Sequence, residues 1–214
     1  MQHDFWHEKW QTNNIGFHQS QPHPLLTQHL KSLNLTQHAR IFVPLCGKSL
    51  DISWLIEQGY HVIGIDLSPI AIQAVISDLA LNFNKTRIGN LTHYQHPQID
   101  LFIGDFFELT AQQLSHIDAV YDRAALIALP ESMRSQYTQH LIKITDQAPQ
   151  LLISLEYDQE KMDGPPFAIP QNELLTHYSA TYHIQLLATV AEQLKGKVDA
   201  QEQVWLLDRL SSSK

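Results

Sequence analysis

Residues 40–69, RIFVPLCGKSLDISWLIEQGYHVIGIDLSP, leave the chain few folds to choose from. Ile41, Phe42 and Val43 are a short apolar run of the kind buried in a parallel strand. Leu45-Cys46-Gly47-Lys48-Ser49 breaks that run. Leu50, Trp54 and Leu55 then recur at helical spacing, with Ile52 and Ile56 beside them, and Gly59 offers a stop. Val62-Ile63-Gly64-Ile65 is a second buried strand with Asp66 at its C-terminal end. Strand, loop, helix and strand in this order make a βαβ unit.

In open α/β sheets, ligands sit outside the carboxyl ends of the strands. A carboxylate there, such as Asp66, can accept hydrogen bonds from both hydroxyls of a ribose, and Gly47 lets the loop backbone pass close to the ligand. A dinucleotide needs its pyrophosphate cradled by G-x-G-x-x-G, and this loop has a single glycine. Gly47-Lys48-Ser49 matches the tail of a triphosphate loop, but Phe42 stands in a strand where that motif has its first glycine. A cofactor with a ribose and no phosphates fits better, and S-adenosylmethionine is the common one. The bland alternative is an ordinary βαβ unit with a surface Asp.

The rest of the chain continues the alternation. Residues 1–24 are rich in aromatic side chains, with Phe5, Trp6 and Trp10 on a short helix and a loop from Thr12 to Gln19. Disordered tails are poor in such residues, so this segment either docks on the core or closes over a ligand as a lid. Pro24 to Leu35 reads as a helix through Leu26, Leu30 and Leu33. Ser68-Pro69 is an N-cap followed by a favoured first residue, and Ile72, Val75, Ile76 and Leu79 form that helix's buried stripe. Residues 82–98 are polar and read as a loop, with one added strand as the alternative. Further strands are expected at Ile99–Ile103, Ile117–Tyr121 and Leu151–Leu155, with helices from Pro130 to about Ala148 and from Gln171 to Tyr178. The first of these is followed by Gly104-Asp105-Phe106-Phe107, the second by Asp122-Arg123, and the third by Glu156-Tyr157-Asp158. His183–Val190 and Gln203–Leu210 have no helix between them and should pair as a hairpin. The expected architecture is a doubly wound, seven-stranded, mostly parallel sheet with one antiparallel strand near its edge, in a single domain spanning 1–214.

Composition narrows the partners. Formal net charge is −8, and no block of Lys and Arg is present, so a nucleic-acid partner is disfavoured. No apolar run of 18 or more residues is found, and the polar start MQHDFWHEKW lacks a signal core, so a cytoplasmic protein without a membrane partner is expected. Cys46 is the only cysteine, which excludes an internal disulfide.

Several of these pieces together resemble the thiopurine S-methyltransferase family, in its bacterial form. They are Trp6 and Trp10 before Phe17-His18, Pro44-Leu45-Cys46-Gly47-Lys48, Asp122-Arg123-Ala124-Ala125-Leu126, Tyr157-Asp158 and Gly164-Pro165-Pro166-Phe167. The matching pieces run from Phe5 to Leu210. PLCGK followed by GPPF is specific, whereas neither alone would be. The resemblance implies an S-adenosylmethionine-dependent enzyme that methylates sulfur on aromatic and heterocyclic thiols, with selenium or tellurium species as further acceptors in some bacterial members. It implies cofactor contacts from Trp10, Leu45, Asp66 and Arg123, with Asp105-Phe106 at the adenine and Phe17 over the substrate. It also implies a small-molecule thiol partner, and a monomer is expected. The family usually has Glu where this chain has Asp66, which is one methylene shorter.

Methyl transfer from a sulfonium is an in-line displacement. Aryl thiols are largely ionised near neutral pH, so no general base is expected. Arg123 at a strand tip can hold an anionic substrate, its alternative being an ion pair with Asp122 or a helix end. His3 and His7 stand four apart, but no zinc-type spacing accompanies them, so no metal is expected. Cys46 has no adjacent base in sequence and reads as a small packing residue. Two rivals remain: a nicotinamide-dependent reductase on the same unit, disfavoured by the single-glycine loop, and a non-catalytic module that senses S-adenosylmethionine.

Overall fold

The computed structural model describes residues 3–12, 14 and 19–210. Their strands are β1 (Arg40–Val43), β2 (His61–Asp66), β3 (Asn84–Ile88), β4 (Leu91–His96), β5 (Ile99–Ile103), β6 (Ala119–Arg123), β7 (Gln150–Glu156), β8 (Tyr182–Leu194) and β9 (Val198–Arg209). The helices are α1 (His3–Gln11), α2 (Pro24–His29), α3 (Asp51–Glu57), α4 (Pro69–Leu79), α5 (Ala111–Leu114), α6 (Glu131–Ile144) and α7 (Gln171–Tyr178).

The strands form one sheet in the order β3-β4-β5-β2-β1-β6-β7-β9-β8. β5, β2, β1, β6 and β7 run parallel, and β9 enters antiparallel to β7 before pairing with β8. The chain builds outward from β1 through β2 to β5, then returns to β6 on the other side of β1. That reversal opens a crevice at the carboxyl edge beside β1. The expected seven-stranded, doubly wound core is therefore present, and a β3–β4 hairpin widens it.

Strand alternation sorts the side chains into two cores. Phe42, Ile63, Ile65, Phe102, Val120 and Leu152 face α6 and α7, which contribute Tyr137, Leu141, Leu174 and Tyr178. Ile41, Val43, Val62, Leu101, Tyr121 and Ile153 face α2, α3 and α4, which contribute Leu26, Ile52, Leu55, Ile72 and Val75. Ser68 caps α4 as its sequence predicts, its hydroxyl accepting from Ala71 N at 3.3 Å.

Four segments depart from the sequence reading. Residues 82–98 hold the β3–β4 hairpin rather than a loop, because β3 is an outermost strand exposed at every position and carries no apolar alternation. The helix over 24–35 ends as α2 at His29 and tightens into a 3-10 turn over Leu30–Leu33, closed by Asn34 at φ +49°. α6 stops at Ile144 rather than near Ala148, with Asp146 and Gln147 at positive φ. β8 and β9 extend well past the apolar stretches and stay paired as far as Leu194 and Val198, on either side of Lys195-Gly196, with Val198 and Ala200 buried.

The added hairpin is tied to the core by one carboxylate. Asp100 on β5 accepts from His93 Nε2 of β4 at 2.7 Å and from His61 Nε2 of β2 at 2.8 Å. Burial alone would raise its pKa, but the two imidazoles hold it well below the usual carboxylate range. A depressed folded value gives stability that is present above the unfolded value near 3.9 and is lost as pH falls through the folded one. Asp100→Ala should destabilise the protein by about 2–3 kcal/mol at pH 7, the scale of charge-assisted hydrogen bonds, as read by urea denaturation. The deficit relative to wild type should shrink as pH is lowered below about 4.

Candidate active site

The carboxyl edge gathers the tips of β1, β2, β5 and β6. After β1, Leu45 takes φ +45° and Gly47 φ +56°, so the chain turns sharply before α3. Cys46 N donates to Ile65 O at 2.9 Å, laying this loop against β2. The Cys46 thiol is buried against Gly64, where any Cβ would sit 2.9 Å from the sulfur. Burial, reinforced by the nearby Asp66, pushes the thiol up well above its ordinary value. It is an inert packing group, as its sequence context suggested.

Asp66 ends β2 and is almost fully buried. One carboxylate oxygen accepts from Gly47 N and the other from Ser68 N, both at 2.8 Å. One side chain thus joins the loop after β1 to the cap of α4. Burial pushes its pKa up to about 6, against the opposing pull of the Ser68 and Gly47 N–H groups and of His7. The influence of His7 places the inner side of α1 beside this carboxylate. α1 itself packs on α4, with Trp10 buried beneath it and Phe5 and Trp6 edge-to-face at 5.2 Å.

At the tip of β5, Asp105 caps a short 3-10 turn over Phe106–Glu108, accepting from Phe107 N at 2.9 Å. The Phe106 ring is fully buried, stacked on Phe42 with centroids 6.4 Å apart and against Tyr137 at 5.0 Å. With the ring in the core, the backbone N–H of Phe106, as the first of its turn, has no acceptor within that turn.

β6 ends on Asp122 and Arg123, which alternation sends to opposite faces. Asp122 is buried on the α6 side, where it accepts from Tyr137 Oη at 2.7 Å and Leu126 N at 3.2 Å. Burial pushes it up to about 6 despite those donors. The ion pair with Arg123 weighed from the sequence is thus replaced by a tyrosine and a turn. Arg123 faces the other way, half-buried and on the same face as Tyr121. Ala124 follows at φ +60°, a conformation costly for a residue with a Cβ, so the chain turns abruptly behind the guanidinium.

Sequence reasoning named Tyr157 and the GPPF residues only as motif matches, and did not single out Asp51, His23, Arg134 or Glu173, which help to hold this edge together. Asp51, at the start of α3, accepts from His23 N at 2.7 Å and Tyr121 Oη at 3.0 Å, and His23 Nε2 reaches Glu202 at 3.3 Å. That buried set anchors the end of the N-terminal segment beside Arg123. On the opposite face, Phe167 N donates to Ile127 O at 2.7 Å, and Arg134 lies over the Phe167 ring at 5.5 Å while pairing with Glu173 at 2.7 Å. Tyr157 Oη donates to Pro166 O at 2.6 Å, so the GPPF loop is fastened beside the β6 tip. The available signal was weak: apart from Tyr157 and Pro166, nine positions apart, the partners lie tens of residues away, and none falls in a periodic pattern. Of the candidate residues, Leu45, Asp66, Phe106 and Arg123 share the carboxyl edge, Trp10 comes from the helix packed on α4, and Phe17 lies outside the described residues. Among the described residues, no group of His, Cys, Asp and Glu side chains is arranged to hold a metal, and no helix is long and apolar enough to cross a membrane.

Comparison with known proteins agrees with this geometry. The family profile for thiopurine S-methyltransferase matches residues 1–211. A thiopurine S-methyltransferase from Acinetobacter baylyi is 50% identical over 97% of this chain and 98% of its own length. One from Xanthobacter autotrophicus is 46% identical over 98% of this chain and 100% of its own length. Among solved structures, a SAM-dependent methyltransferase from Anabaena variabilis superposes with a TM-score of 0.65 at 15% identity, covering 97% of this chain and 95% of its own. Magnesium protoporphyrin IX methyltransferase from Synechocystis, solved with S-adenosylhomocysteine bound, gives 0.58 at 14% identity over 86% of this chain and 80% of its own. The chain belongs to the thiopurine S-methyltransferase family, whose methyl donor is S-adenosylmethionine.

Proposed function

We propose that the carboxyl-edge crevice transfers a methyl group from S-adenosylmethionine to the sulfur of an aromatic or heterocyclic thiol, thiopurines included. The observation that carries this reading is the buried Asp66 carboxylate, whose oxygens each accept only one backbone N–H. Each oxygen keeps lone-pair capacity. Two ribose hydroxyls can therefore be held without displacing the bonds that shape the loop. The donor set fits the rest of the cofactor. Leu45 and the loop behind it would bound the amino-acid end. The first N–H of the 106–108 turn, with Asp105 beside it, would meet the adenine. Asp66 and Arg123 stand on strands either side of β1, about 10 Å apart by strand spacing, a separation that one cofactor can bridge.

Bound S-adenosylmethionine supplies an electrophilic methyl group on a sulfonium sulfur. The protein's own residues align the acceptor and keep water out. Trp10 and Phe17 would close the crevice, their aromatic faces suiting both a flat substrate and a positive charge. Residues 1–24 would then be the lid of a single domain. Arg123 would sit beside the incoming sulfur and favour its thiolate form, so no general base is required. A selenolate meets the same demands, and selenium or tellurium species are a second acceptor class for the same screen. The enzyme would act as a monomer on small molecules, without nucleic acid or membrane.

A screen of thiols, selenite and tellurite for labelled methyl transfer tests the reading, which fails if S-adenosylhomocysteine binds and no acceptor is methylated. Arg123→Lys should lower kcat/KM while retaining activity, because charge is kept and the planar fork lost. Arg123→Met should lower it further and move the pH–rate profile upward, because the bound thiol is then harder to ionise. A change confined to cofactor Kd, with the profile unmoved, would assign Arg123 to the cofactor alone.

Asp66 makes cofactor affinity depend on pH. Its pKa of about 6 means that the carboxylate takes a proton as pH falls through that value, and it then loses the charge that attracts two hydroxyl donors. Calorimetric affinity for S-adenosylhomocysteine should fall between pH 7 and 5 in wild type. In Asp66→Asn it should be weaker by about 1.5–3 kcal/mol at pH 7, with that part of the pH dependence removed. Deleting residues 1–20 should abolish turnover and weaken cofactor binding while the sheet still folds, measured by circular dichroism beside calorimetry.

A further inference from the structure

Resting on the reading that the 106–108 turn receives the adenine, we infer that His140 of α6 is a positioning residue for the adenine end of the cofactor. A 3-10 turn of three residues makes too few bonds of its own to hold a fixed shape. This one is held from outside. Asp105 caps its start, and the Phe106 ring anchors it in the core between Phe42 and Tyr137. Its exit is held by His140, whose Nε2 donates to Leu109 O at 3.0 Å. Leu109 N in turn donates to Phe106 O at 3.1 Å, so the imidazole holds the carbonyl of the residue whose N–H closes the turn. The same ring stands edge-on to Phe106, with centroids 5.0 Å apart and planes at 82°, and lies 5.8 Å from Phe107. A carbonyl only accepts, so Nε2 must carry the hydrogen. Burial holds the ring below its ordinary pKa, against the pull of the Leu109 and Phe106 carbonyls, which keeps it a neutral donor at neutral pH.

His140 is better suited to this role than its neighbour Tyr137. Tyr137 also touches Phe106, but its hydroxyl is committed to Asp122 and hence to the tip of β6. The imidazole of His140 makes its hydrogen bond to Leu109 and its ring contacts with Phe106 and Phe107. Losing the imidazole would therefore free the turn and its N–H while leaving Asp66, Arg123 and the GPPF loop in place.

The test compares calorimetric binding of S-adenosylhomocysteine with that of S-inosylhomocysteine, in which hypoxanthine replaces adenine. Wild type should prefer the adenine compound. His140→Ala should weaken S-adenosylhomocysteine about tenfold, the factor that one lost hydrogen bond commands, and should shrink the preference for adenine. The kcat at saturating cofactor should stay within about twofold, since the reacting end is untouched. His140→Gln carries an amide donor at similar reach and should restore affinity to within about threefold of wild type. His140→Phe keeps a ring without a donor and should resemble His140→Ala. The inference is overturned if His140→Ala binds both compounds as wild type does, or if it weakens both by the same factor, as loss of general stability would. Should His140→Ala fail to fold, the Gln and Phe variants decide: equal weakness in the two overturns the inference, and rescue by Gln alone supports it. A wild type that binds S-adenosylhomocysteine but does not distinguish adenine from hypoxanthine would sink the adenine reading itself, a result separable from any effect of the His140 variants.

Discussion

A carboxylate taken out of water at the tip of β2 governs the shape of the crevice. Desolvation raises the proton affinity of Asp66, and two backbone N–H groups offset part of that cost. Those donors belong to different walls: Gly47 lies in the loop after β1, and Ser68 caps α4. Folding therefore has to bring β1, β2 and α4 into register before the charge is tolerated. The family's usual Glu would carry the charge one methylene further out. With Asp, the carboxylate stays close to the backbone, where it holds the loop after β1 and the cap of α4.

α6 organises the other side of the same edge. Tyr137 donates to Asp122 behind the β6 tip, and the Phe106 ring rests on it, while His140 grips the peptide below. Arg134, nearer the start of that helix, pairs with Glu173 and covers Phe167 of the GPPF loop. A single helix thus braces three strand tips, each of which must be placed to within a fraction of an ångström for chemistry to be aligned. Asp51 does the corresponding work on the opposite face, where it joins α3, β6 and the start of α2.

Much of this plan was legible in residue order. The βαβ unit over 40–69 shows as apolar runs broken by a glycine loop, and acids or amides punctuate the strand ends. Ser68-Pro69 announces the start of α4 because capping depends only on neighbours in sequence. The β3–β4 hairpin was not legible. Its outer strand is polar throughout, and it is held by pairing with β4 and, through His93, by Asp100. The near ends of β8 and β9 were hidden too, since β8 is exposed over 189–193 and the buried pair Val198 and Ala200 is too short an alternation to read as a strand.

The sequence by itself determined the succession of the core strands and helices, the family motifs and which acidic and basic residues would stand at the carboxyl edge. These depend on local spacing, and local spacing is what a sequence records. Only the tertiary structure decided what each residue does there. It turned the Phe106 ring into the core, sent Asp122 to Tyr137 rather than to Arg123, and gave the Asp66 carboxylate one backbone N–H on each oxygen. The physical reason is distance along the chain. Tyr121 meets Asp51 across 70 positions and Arg134 meets Glu173 across 39, and such pairs exist only once the sheet has set the order of its strands.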